Sequence, residues 1–287
     1  MSTQRVAVVT GASTGFGFQT AKLLAAEGFR VFGTLRDAAS RNAESKASLE
    51  AAGVEVVEMD VTGDRSVERA AAQILDAGGR IDVLVNNAGT AHLGTAEAFT
   101  TASFERQFAT NVTGPFRVSR AFLPAMRAQG SGLVVFVSSV VGRFVIPFSG
   151  VYAASKWAIE ALAESLSYEL RPFGVDIAIL EPGAYATNIF NATVAPDDAA
   201  TLASYGEVAK TVETIGAALA EQARDPREVA EAIVALVKAP AGTRNLRTTV
   251  PAGSPAEAIN AAVEPIQRAV LENFGLGAFL PKTPSGV

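Results

Sequence analysis

A strand, a glycine-rich turn and a helix follow one another at the start of the chain, and this order strongly limits the possible folds. Residues 5–9 form a short apolar run of the buried-strand type, the turn runs from Thr10 to Gly17, and a helical pattern covers residues 18–27. Glycines allow a tight turn and let the backbone approach a pyrophosphate, while the helix N-terminus offers free N–H groups and a positive dipole end. The segment therefore predicts a dinucleotide-phosphate site.

Strands and helices alternate along the rest of the chain. Such alternation is typical of a parallel sheet with helices on both faces, so we expect an α/β fold, a doubly wound sheet of the Rossmann type. The pattern predicts further strands at residues 30–35, 54–61, 81–85, 133–137, 175–180 and 248–250. It predicts helices at residues 65–77, 101–128, 152–171, 199–224, 226–238 and 255–273, and a polar helix after the second strand.

The domain organisation is expected to be simple. No internal repeat and no linker divides the chain, so residues 1–287 are interpreted as one domain. Within it, the weakly amphipathic stretch 188–225 is predicted to cover the substrate site, and residues 245–275 to form a C-terminal strand and helix.

Composition excludes several classes of function. The net charge of −5 and a pI near 5.1 argue against a general nucleic-acid surface, which would be basic. There is no cysteine, and no apolar run approaches a membrane span. The start of the chain lacks the pattern of a signal peptide, so a cytoplasmic location is expected. No metal site is predicted, and the single histidine, His92, is given no catalytic role.

Tyr152 and Lys156 are the leading candidates for chemistry. Four residues apart, they share one face of a helix. A free tyrosine has a pKa near ~10, and a nearby ammonium group lowers it by favouring the phenolate. Proton transfer is most efficient when the pKa of the donor lies near the working pH, so the two residues are interpreted as an acid/base pair.

Other polar residues stand where ligands bind in sheets of this kind, outside the carboxyl ends of the strands. The glycine turn, Asp60, Asn86, Ser139 and Pro182 all follow predicted strands. Parallel strands bring these ends to one edge of the sheet, and we expect a single site there.

Together these residues resemble the motifs of the short-chain dehydrogenase/reductase family, over residues 5 to about 190. The turn from Thr10 to Gly17 is similar to the family's TGxxxGxG, and Ser139 precedes Tyr152 by the usual thirteen residues. The remaining motif residues stand in the expected order: Asp60, Asn86-Asn87-Ala88-Gly89, Asn111, Tyr152, Lys156 and Pro182-Gly183.

The resemblance implies hydride transfer between a nicotinamide cofactor and a carbonyl or secondary alcohol. In this family pattern Tyr152 is the general acid or base, and Lys156 lowers its pKa and binds the nicotinamide ribose. Ser139 holds the substrate oxygen, with Ser138 as the competing candidate, and Asn111 links Lys156 to solvent through a water.

The resemblance also implies which residues contact the cofactor. Thr187 would contact the nicotinamide carboxamide, although it could instead cap the next helix. The full expected set is Gly11, Ser13, Thr14, Gly15, Phe16, Gly17, Arg36, Asp60, Val61, Asn87, Ala88, Gly89, Tyr152, Lys156, Pro182, Gly183 and Thr187.

The choice between NADP and NAD depends on the end of the second strand. An acidic residue there binds the ribose 2′-hydroxyl, and an arginine accommodates a 2′-phosphate. Leu35 occupies the acidic position and Arg36 follows, which favours NADP (NADPH). Asp37 could reverse this after a shift of one residue, and Thr14 stands where NADP-binding relatives often carry a basic residue.

Alternative functions and the substrate are the remaining questions. A nucleotide-sugar epimerase or dehydratase would carry TGxxGxxG in its turn, and a regulatory protein would be expected to lose Ser139, Tyr152 or Lys156.

A homodimer or homotetramer is expected, as in relatives. An apolar pocket for a hydrophobic ketone or alcohol is predicted, with Arg143 as the one nearby charge. The predicted lining is Val140, Val141, Phe144, Val145, Phe148, Tyr185, Ile189 and Phe190.

Overall fold

The computed structural model describes residues 4–187 and 193–280, and within them a parallel sheet of seven strands forms the centre of the molecule. The strand order is β3-β2-β1-β4-β5-β6-β7, and every pair of neighbours is parallel. The strands are β1 (Val6–Thr10), β2 (Arg30–Leu35), β3 (Val54–Glu58), β4 (Val83–Asn86), β5 (Gly132–Val137), β6 (Val175–Pro182) and β7 (Arg247–Val250).

Helices cover both faces of this sheet. One apolar core packs α1 and α9 against the sheet, and a second packs α3, α5 and α6 against its opposite face. Because both faces are covered, the central strands are apolar along their whole length. The helices are α1 (Gly15–Ala26), α2 (Ala43–Ala51), α3 (Asp64–Gly78), α4 (Thr101–Phe108), α5 (Gly114–Gln129), α6 (Gly150–Leu170), α7 (Ala199–Ser204), α8 (Glu207–Glu221), α9 (Arg227–Lys238) and α10 (Pro255–Asn273).

The predicted α/β fold with a doubly wound parallel sheet is confirmed, and the differences are local. The helix predicted over residues 101–128 contains a π-helical turn, Ala109–Thr113, between α4 and α5. The helix predicted over residues 199–224 is broken at Gly206, whose φ of +54° lies in the left-handed region that favours glycine. The strand predicted over residues 54–61 ends earlier, at Glu58.

The order of the strands determines where a ligand can bind. The chain runs outward in one direction from β1 to β3 and then in the other from β4 to β7, so the connections leaving β1 and β4 diverge. Ligands in doubly wound sheets bind in the crevice at this switch point, outside the carboxyl ends of the strands.

Within the part of the chain that the structure describes, no helix is both long and apolar enough to cross a bilayer. The acidic residues and the histidine of that part form no group that could hold a metal ion.

Candidate active site

The glycine turn and the loop after β4 are locked together by the side chain of Thr10. Its buried hydroxyl accepts the N–H groups of Asn87 at 3.0 Å and Ala88 at 3.1 Å, and donates to the carbonyl of Val85 at 3.2 Å. Gly11 has a φ of +65°, and a Cβ there would lie 2.8 Å from the Cα of Ala88. The two loops therefore approach so closely that only glycine fits at position 11.

A cleft of about 480 Å³ opens at these loops and receives most of the predicted cofactor-binding residues. It combines a glycine turn at a helix N-terminus with both cationic and carboxylate groups, which fits the phosphates and riboses of a dinucleotide. Of the predicted set it is lined by Gly11, Ser13, Thr14, Gly15, Phe16, Arg36, Asp60, Val61, Asn87, Ala88, Gly89, Tyr152, Lys156 and Thr187.

Three predicted residues lie beside the cleft and do not line it. A Cβ on Gly17 would collide with the side-chain amide of Asn87, so this glycine allows the helix to pack against the loop. Pro182 pairs with Val250 in the sheet, and the N–H of Gly183 donates to the carbonyl of Val250 at 2.8 Å. These contacts give Pro182 and Gly183 a structural position at the end of β6.

At the outer end of the cleft, the loop after β2 presents two arginines. Arg36 lines the cleft as expected, and Arg41, which the sequence analysis did not single out, lines it too. Asn42 donates from Nδ2 to the carbonyl of Arg36 at 2.6 Å, and its N–H donates to the carbonyl of Asp37. Asp37 itself has a φ of +49°. The turn is therefore tightly folded, and it brings Arg41 back beside Arg36.

Asp60 stands ionised on the other side of this end of the cleft. Burial raises its pKa, but hydrogen bonds from the N–H and hydroxyl of Thr62 and the charges of Arg36 and Arg117 outweigh burial and lower it. The carboxylate accepts both bonds from Thr62, at 2.9 Å and 2.7 Å. Its orientation is fixed, and Arg36 is close enough to act on it.

Tyr152 and Lys156 lie together at the inner end of the cleft. The ammonium Nζ of Lys156 lies 5.6 Å from the centre of the Tyr152 ring and donates to the carbonyl of Val137 at 2.9 Å. Burial lowers the pKa of Lys156 to about 8, against the opposing charge of Glu160. At neutral pH the lysine is therefore still mainly an ammonium group.

The pKa of Tyr152 moves in the direction opposite to the one expected. Burial raises it to about 12, and the hydrogen bond with Ser139 only partly opposes this. The net shift is upward because the loss of water around the phenol outweighs the hydrogen bond with Ser139, and the lowering of this pKa by Lys156 stays a prediction. At neutral pH the site presents a protonated phenol beside an ammonium group.

The competition between Ser138 and Ser139 is decided by where their hydroxyls lie. The hydroxyl of Ser139 interacts with Tyr152, accepts the N–H of Val141 at 3.3 Å and donates to the carbonyl of Pro182 at 3.4 Å. Ser138 lines the cleft and Ser139 does not, but the hydroxyl of Ser138 lies beside Glu160. The geometry therefore favours Ser139 as the partner of Tyr152.

Asn111 sits in the π-helical turn and fastens the loop after β4. Its Nδ2 donates to the carbonyl of Thr90 at 2.9 Å and to the hydroxyl of Ser155 at 3.1 Å, and its Oδ1 accepts the N–H of Thr90 at 2.9 Å. A Cβ on Gly89 would lie 3.4 Å from this Oδ1 and 3.9 Å from Nζ of Lys156. Asn111 and Lys156 thus both lie close to Gly89, and the water-mediated link stays a prediction.

The predicted apolar lining stays a prediction, since none of its described residues lines the cleft. Tyr185 is 1% exposed, its ring lies edge-on to that of Phe16 with the ring centres 5.5 Å apart, and its hydroxyl donates to Glu228. Tyr185 therefore belongs to the core, and its predicted place in the pocket is wrong. Val145 is 61% exposed, and Val141 is buried. Ile189 and Phe190 lie outside the described residues, as does the segment 188–192 beside Thr187.

The two other residues that the sequence left open are placed clearly. Arg143 does not line the cleft, and its charge lowers the pKa values of the buried carboxyl groups of Glu160 and Glu181. His92 is buried, hydrogen-bonded to Gln107 and paired through its backbone with Val194. The contacts of His92 are therefore structural.

Comparison with known proteins identifies relatives over most of the chain. The family model described as short chain dehydrogenase matches residues 5–198. The uncharacterized oxidoreductase YusZ of Bacillus subtilis is 37% identical, over 81% of this chain and 84% of its own length. Human 17-beta-hydroxysteroid dehydrogenase type 1 is 34% identical, over 85% of this chain and 77% of its own length. Bovine retinol dehydrogenase 8 is 38% identical, over 64% of this chain and 60% of its own length.

Solved structures share the fold as well. A short-chain dehydrogenase from Streptomyces avermitilis superposes with a TM-score of 0.78 at 33% identity, over 96% of this chain and 97% of the other. An alcohol dehydrogenase from Thermococcus sibiricus, complexed with 5-hydroxy-NADP, superposes with a TM-score of 0.70 at 30% identity, over 86% of this chain and 96% of the other. A short chain dehydrogenase/reductase from Burkholderia phymatum, in complex with NAD, superposes with a TM-score of 0.72 at 25% identity, over 99% of this chain and 98% of the other.

Replacing Thr10 by valine is expected to destabilise the protein by roughly 1–3 kcal/mol, because it leaves the buried N–H groups of Asn87 and Ala88 without an acceptor. Thr34 provides a matched control: it is the register partner of Thr10 on β2, is fully buried, and among the described residues its hydroxyl donates only to the sulfur of Met59, at 3.8 Å. Urea unfolding of Thr10→Val and Thr34→Val measures the difference. Equal losses of stability would contradict the role given to Thr10.

Proposed function

This chain belongs to the short-chain dehydrogenase/reductase family, and from that membership we propose that it is an NADP(H)-dependent oxidoreductase that interconverts a hydrophobic ketone and its secondary alcohol. Members of the family act on CH–OH and C=O groups with a nicotinamide cofactor. The observation that carries the proposal is the placement of Tyr152 and Lys156 at the inner end of a cleft suited to a dinucleotide, with Ser139 hydrogen-bonded to Tyr152.

Tyr152 is proposed to transfer the proton. When bound, the nicotinamide supplies or accepts the hydride at the carbonyl carbon, and the carbonyl oxygen then needs one proton. A phenol whose pKa is raised to about 12 is protonated at neutral pH and can donate that proton. In the opposite direction the phenolate would have to form first, which burial disfavours.

Lys156 and Ser139 are proposed to support this step. One N–H of the Lys156 ammonium is held by the carbonyl of Val137, so the group is fixed in direction while its other N–H groups remain for the cofactor ribose. Its positive charge stabilises the negative charge that Tyr152 acquires when it gives up the proton. Ser139 lies beside the phenol and is suited to hold the substrate oxygen there.

An apolar substrate is proposed from the charges around the site. Arg143 does not line the cleft, and its charge acts on the buried carboxylates of Glu160 and Glu181, so we expect it not to anchor an acidic substrate. The relatives named for 17-beta-hydroxysteroid and retinol substrates act on hydrophobic molecules by those names, which supports the same class for this chain.

We also propose that residues 188–225 cover the substrate within a single domain of residues 1–287. After the undescribed stretch, Val194 exchanges backbone hydrogen bonds with Ala91 and Leu93, at 2.9 Å and 3.2 Å. At the other end Arg224 bonds Ala184 at 3.2 Å and Ala186 at 2.8 Å. Between these anchors α8 has no buried residue, so its apolar side is available to contact a substrate.

The proposed reaction is tested with a series of ketones that differ only in chain length and in an added carboxylate, each with NADPH and NADH. kcat/KM is expected to rise with apolar size, by at most about 0.8 kcal/mol per buried methylene. The carboxylated members are expected to be poorer substrates, because a buried carboxylate would find no free cation. Better turnover of the carboxylated members would contradict the apolar pocket.

Tyr152→Phe provides the control for this series. It removes the proton that the reaction needs and keeps the ring, so NADPH binding should remain while turnover falls by roughly 10²–10⁴-fold. Retention of more than about a tenth of the rate would contradict the role of Tyr152 as general acid.

The proposed preference for NADP rests on Arg36 and Arg41, which both line the outer end of the cleft. Arg36→Ala is expected to weaken NADPH binding by roughly ten- to a hundredfold and NADH binding little, because a charge-assisted contact to phosphate contributes about 1.5–3 kcal/mol. Arg41→Ala should act in the same direction. Fluorescence titration with both cofactors measures the effect.

Lys46→Ala is the matched control, since Lys46 pairs with Glu50 on α2 and does not line the cleft. Equal effects of Arg36→Ala on both cofactors, or a preference of the wild type for NADH, would indicate that Asp37 governs the pocket.

A homodimer through α4, α5 and α6 is proposed as well. Three large apolar side chains are exposed there, Phe104 (40%), Phe116 (39%) and Trp157 (45%), and exposed aromatic clusters often mark interfaces. Trp157→Glu is expected to shift the protein towards monomer in sedimentation velocity. Phe274→Glu, at an exposed apolar residue beyond α10, should not. An unchanged oligomeric state in Trp157→Glu would contradict this interface.

A further inference from the structure

Behind the catalytic helix lies a group of buried charges that the proposed reaction does not use. It consists of Glu160 and Glu164 on α6, Glu181 on β6 and Arg247 on β7, and is called the carboxylate cluster below. The side chains of Glu160, Glu181 and Arg247 are 3%, 0% and 10% exposed. Charges are rarely buried this deeply unless each is paired, so the pairing here calls for an explanation.

Arg247 sits at the centre of the cluster. Its Nε lies 2.8 Å from Oε2 of Glu160, its Nη2 lies 2.6 Å from Oε2 of Glu164, and its Nε lies 3.6 Å from Oε1 of Glu181. The last distance is too long for a hydrogen bond, and within the described part of the chain Oε1 of Glu181 accepts none. One guanidinium therefore serves two carboxylates well and a third poorly.

The C-terminal helix supplies neutral donors to the same carboxylates. Nδ2 of Asn260 donates to Oε2 of Glu181 at 2.7 Å, and Nε2 of Gln267 donates to Oε1 of Glu164 at 2.8 Å. These amides satisfy oxygen atoms and bring no positive charge. The cluster thus keeps more negative than positive groups.

The charges of the cluster balance only when Lys156 is counted. Three carboxylates face Arg247, and Arg143 is the second cation that acts on Glu160 and Glu181. With all groups ionised, the two arginines leave one negative charge, which the ammonium of Lys156 beside Glu160 offsets. Burial, and next the charge of Glu160, raise the pKa of Glu181 to about 7, and burial also raises the pKa of Glu160. The two carboxyl groups therefore share a proton in the neutral range.

Glu160 connects this cluster to the catalytic site. It follows Lys156 by four residues on α6, so the two side chains lie on the same face of the helix. The charge of Glu160 raises the pKa of Lys156 and opposes the effect of burial.

We propose that Glu160 is a positioning residue that holds Lys156 in its ammonium form, and that Glu181 and Arg247 control how much negative charge Glu160 carries. Glu160 touches neither the cofactor cleft nor Tyr152 and acts through Lys156. Its effect on turnover rests on the proposed function, whereas its effect on the charge of Lys156 does not.

All elements packed around Glu160 contribute to this balance. Glu164 on α6 is two turns beyond Lys156 and shares Arg247, so it is part of the cluster but is farther from the lysine along the helix. The charged and polar groups that face Glu160 or its partners are Lys156, Glu164, Ser138, Arg143, Glu181, Arg247, Asn260 and Gln267.

The charge of Lys156 can be measured directly. The chain has only six lysines, so a protein labelled with ¹³C at lysine Cε gives few signals, and Lys156→Met identifies the one that belongs to Lys156. The shift of that signal with pH is followed in the wild type, in Glu160→Gln and in the control Glu164→Gln. The control removes an equal charge from the same guanidinium, and it also alters the contact of Glu164 with Gln267 on the C-terminal helix.

The wild-type signal is expected to titrate near pH 8, and the midpoint in Glu160→Gln to fall by about one pH unit, because an opposite charge at a few ångströms shifts a pKa by about that much or more. Glu164→Gln is expected to keep the wild-type midpoint. Glu160→Asp, which retains the charge and loses reach, should stay near the wild type. A midpoint in Glu160→Gln equal to that in Glu164→Gln would overturn the proposal.

A second variant decides the matter if Glu160→Gln does not fold, as judged by circular dichroism. In the wild type the Lys156 signal should show a second inflection near pH 7, when the shared proton leaves Glu160 and Glu181, and Glu181→Gln should abolish it. No inflection in the wild type, or one that persists in Glu181→Gln, overturns the proposal. These measurements need neither cofactor nor substrate, so a lack of turnover with every ketone would count against the proposed function alone.

Discussion

Burial of both faces of the parallel sheet is the constraint on which the rest of this structure depends. The central strands carry apolar side chains on both sides, so neither face has room for a ligand. Polar residues that serve chemistry can stand only where the strands end. The cleft forms there because the connections from β1 and β4 diverge, and the hydroxyl of Thr10 holds the two resulting loops in contact.

The catalytic end of the cleft lies deep in the protein, and this has an electrostatic cost. Burial moves the pKa of Tyr152 upward and that of Lys156 downward, so each group is driven towards its neutral form. Ser139 opposes the first shift and Glu160 the second. A reaction that moves a proton between these groups therefore depends on charges that lie behind the cleft as well as on those that line it.

Much of this arrangement could be predicted from the sequence, because it depends on local patterns. The strand, glycine turn and helix at the start, the alternation that follows and the spacing of Tyr152 and Lys156 are all visible in the order of residues. Arg41 was missed because it enters the cleft only through the folding of the turn at Asp37. Tyr185 was misplaced because its neighbour Phe16 and its partner Glu228 are distant in sequence. The upward pKa shift of Tyr152 depends on burial, which no spacing of residues reveals.

The two anchors of the segment that follows β6 have a consequence for how such a protein can diversify. Pairing of Tyr185 with Arg224 and of His92 with Val194 fastens its ends to the body of the fold, apart from the residues that move protons. The stretch between these anchors can lengthen, shorten or change composition while the anchors and the sheet stay as they are. If this segment covers the substrate as proposed, molecular recognition and bond chemistry are inherited as separable modules, and a lineage can acquire a new substrate by altering a surface insertion while the reaction centre stays the same.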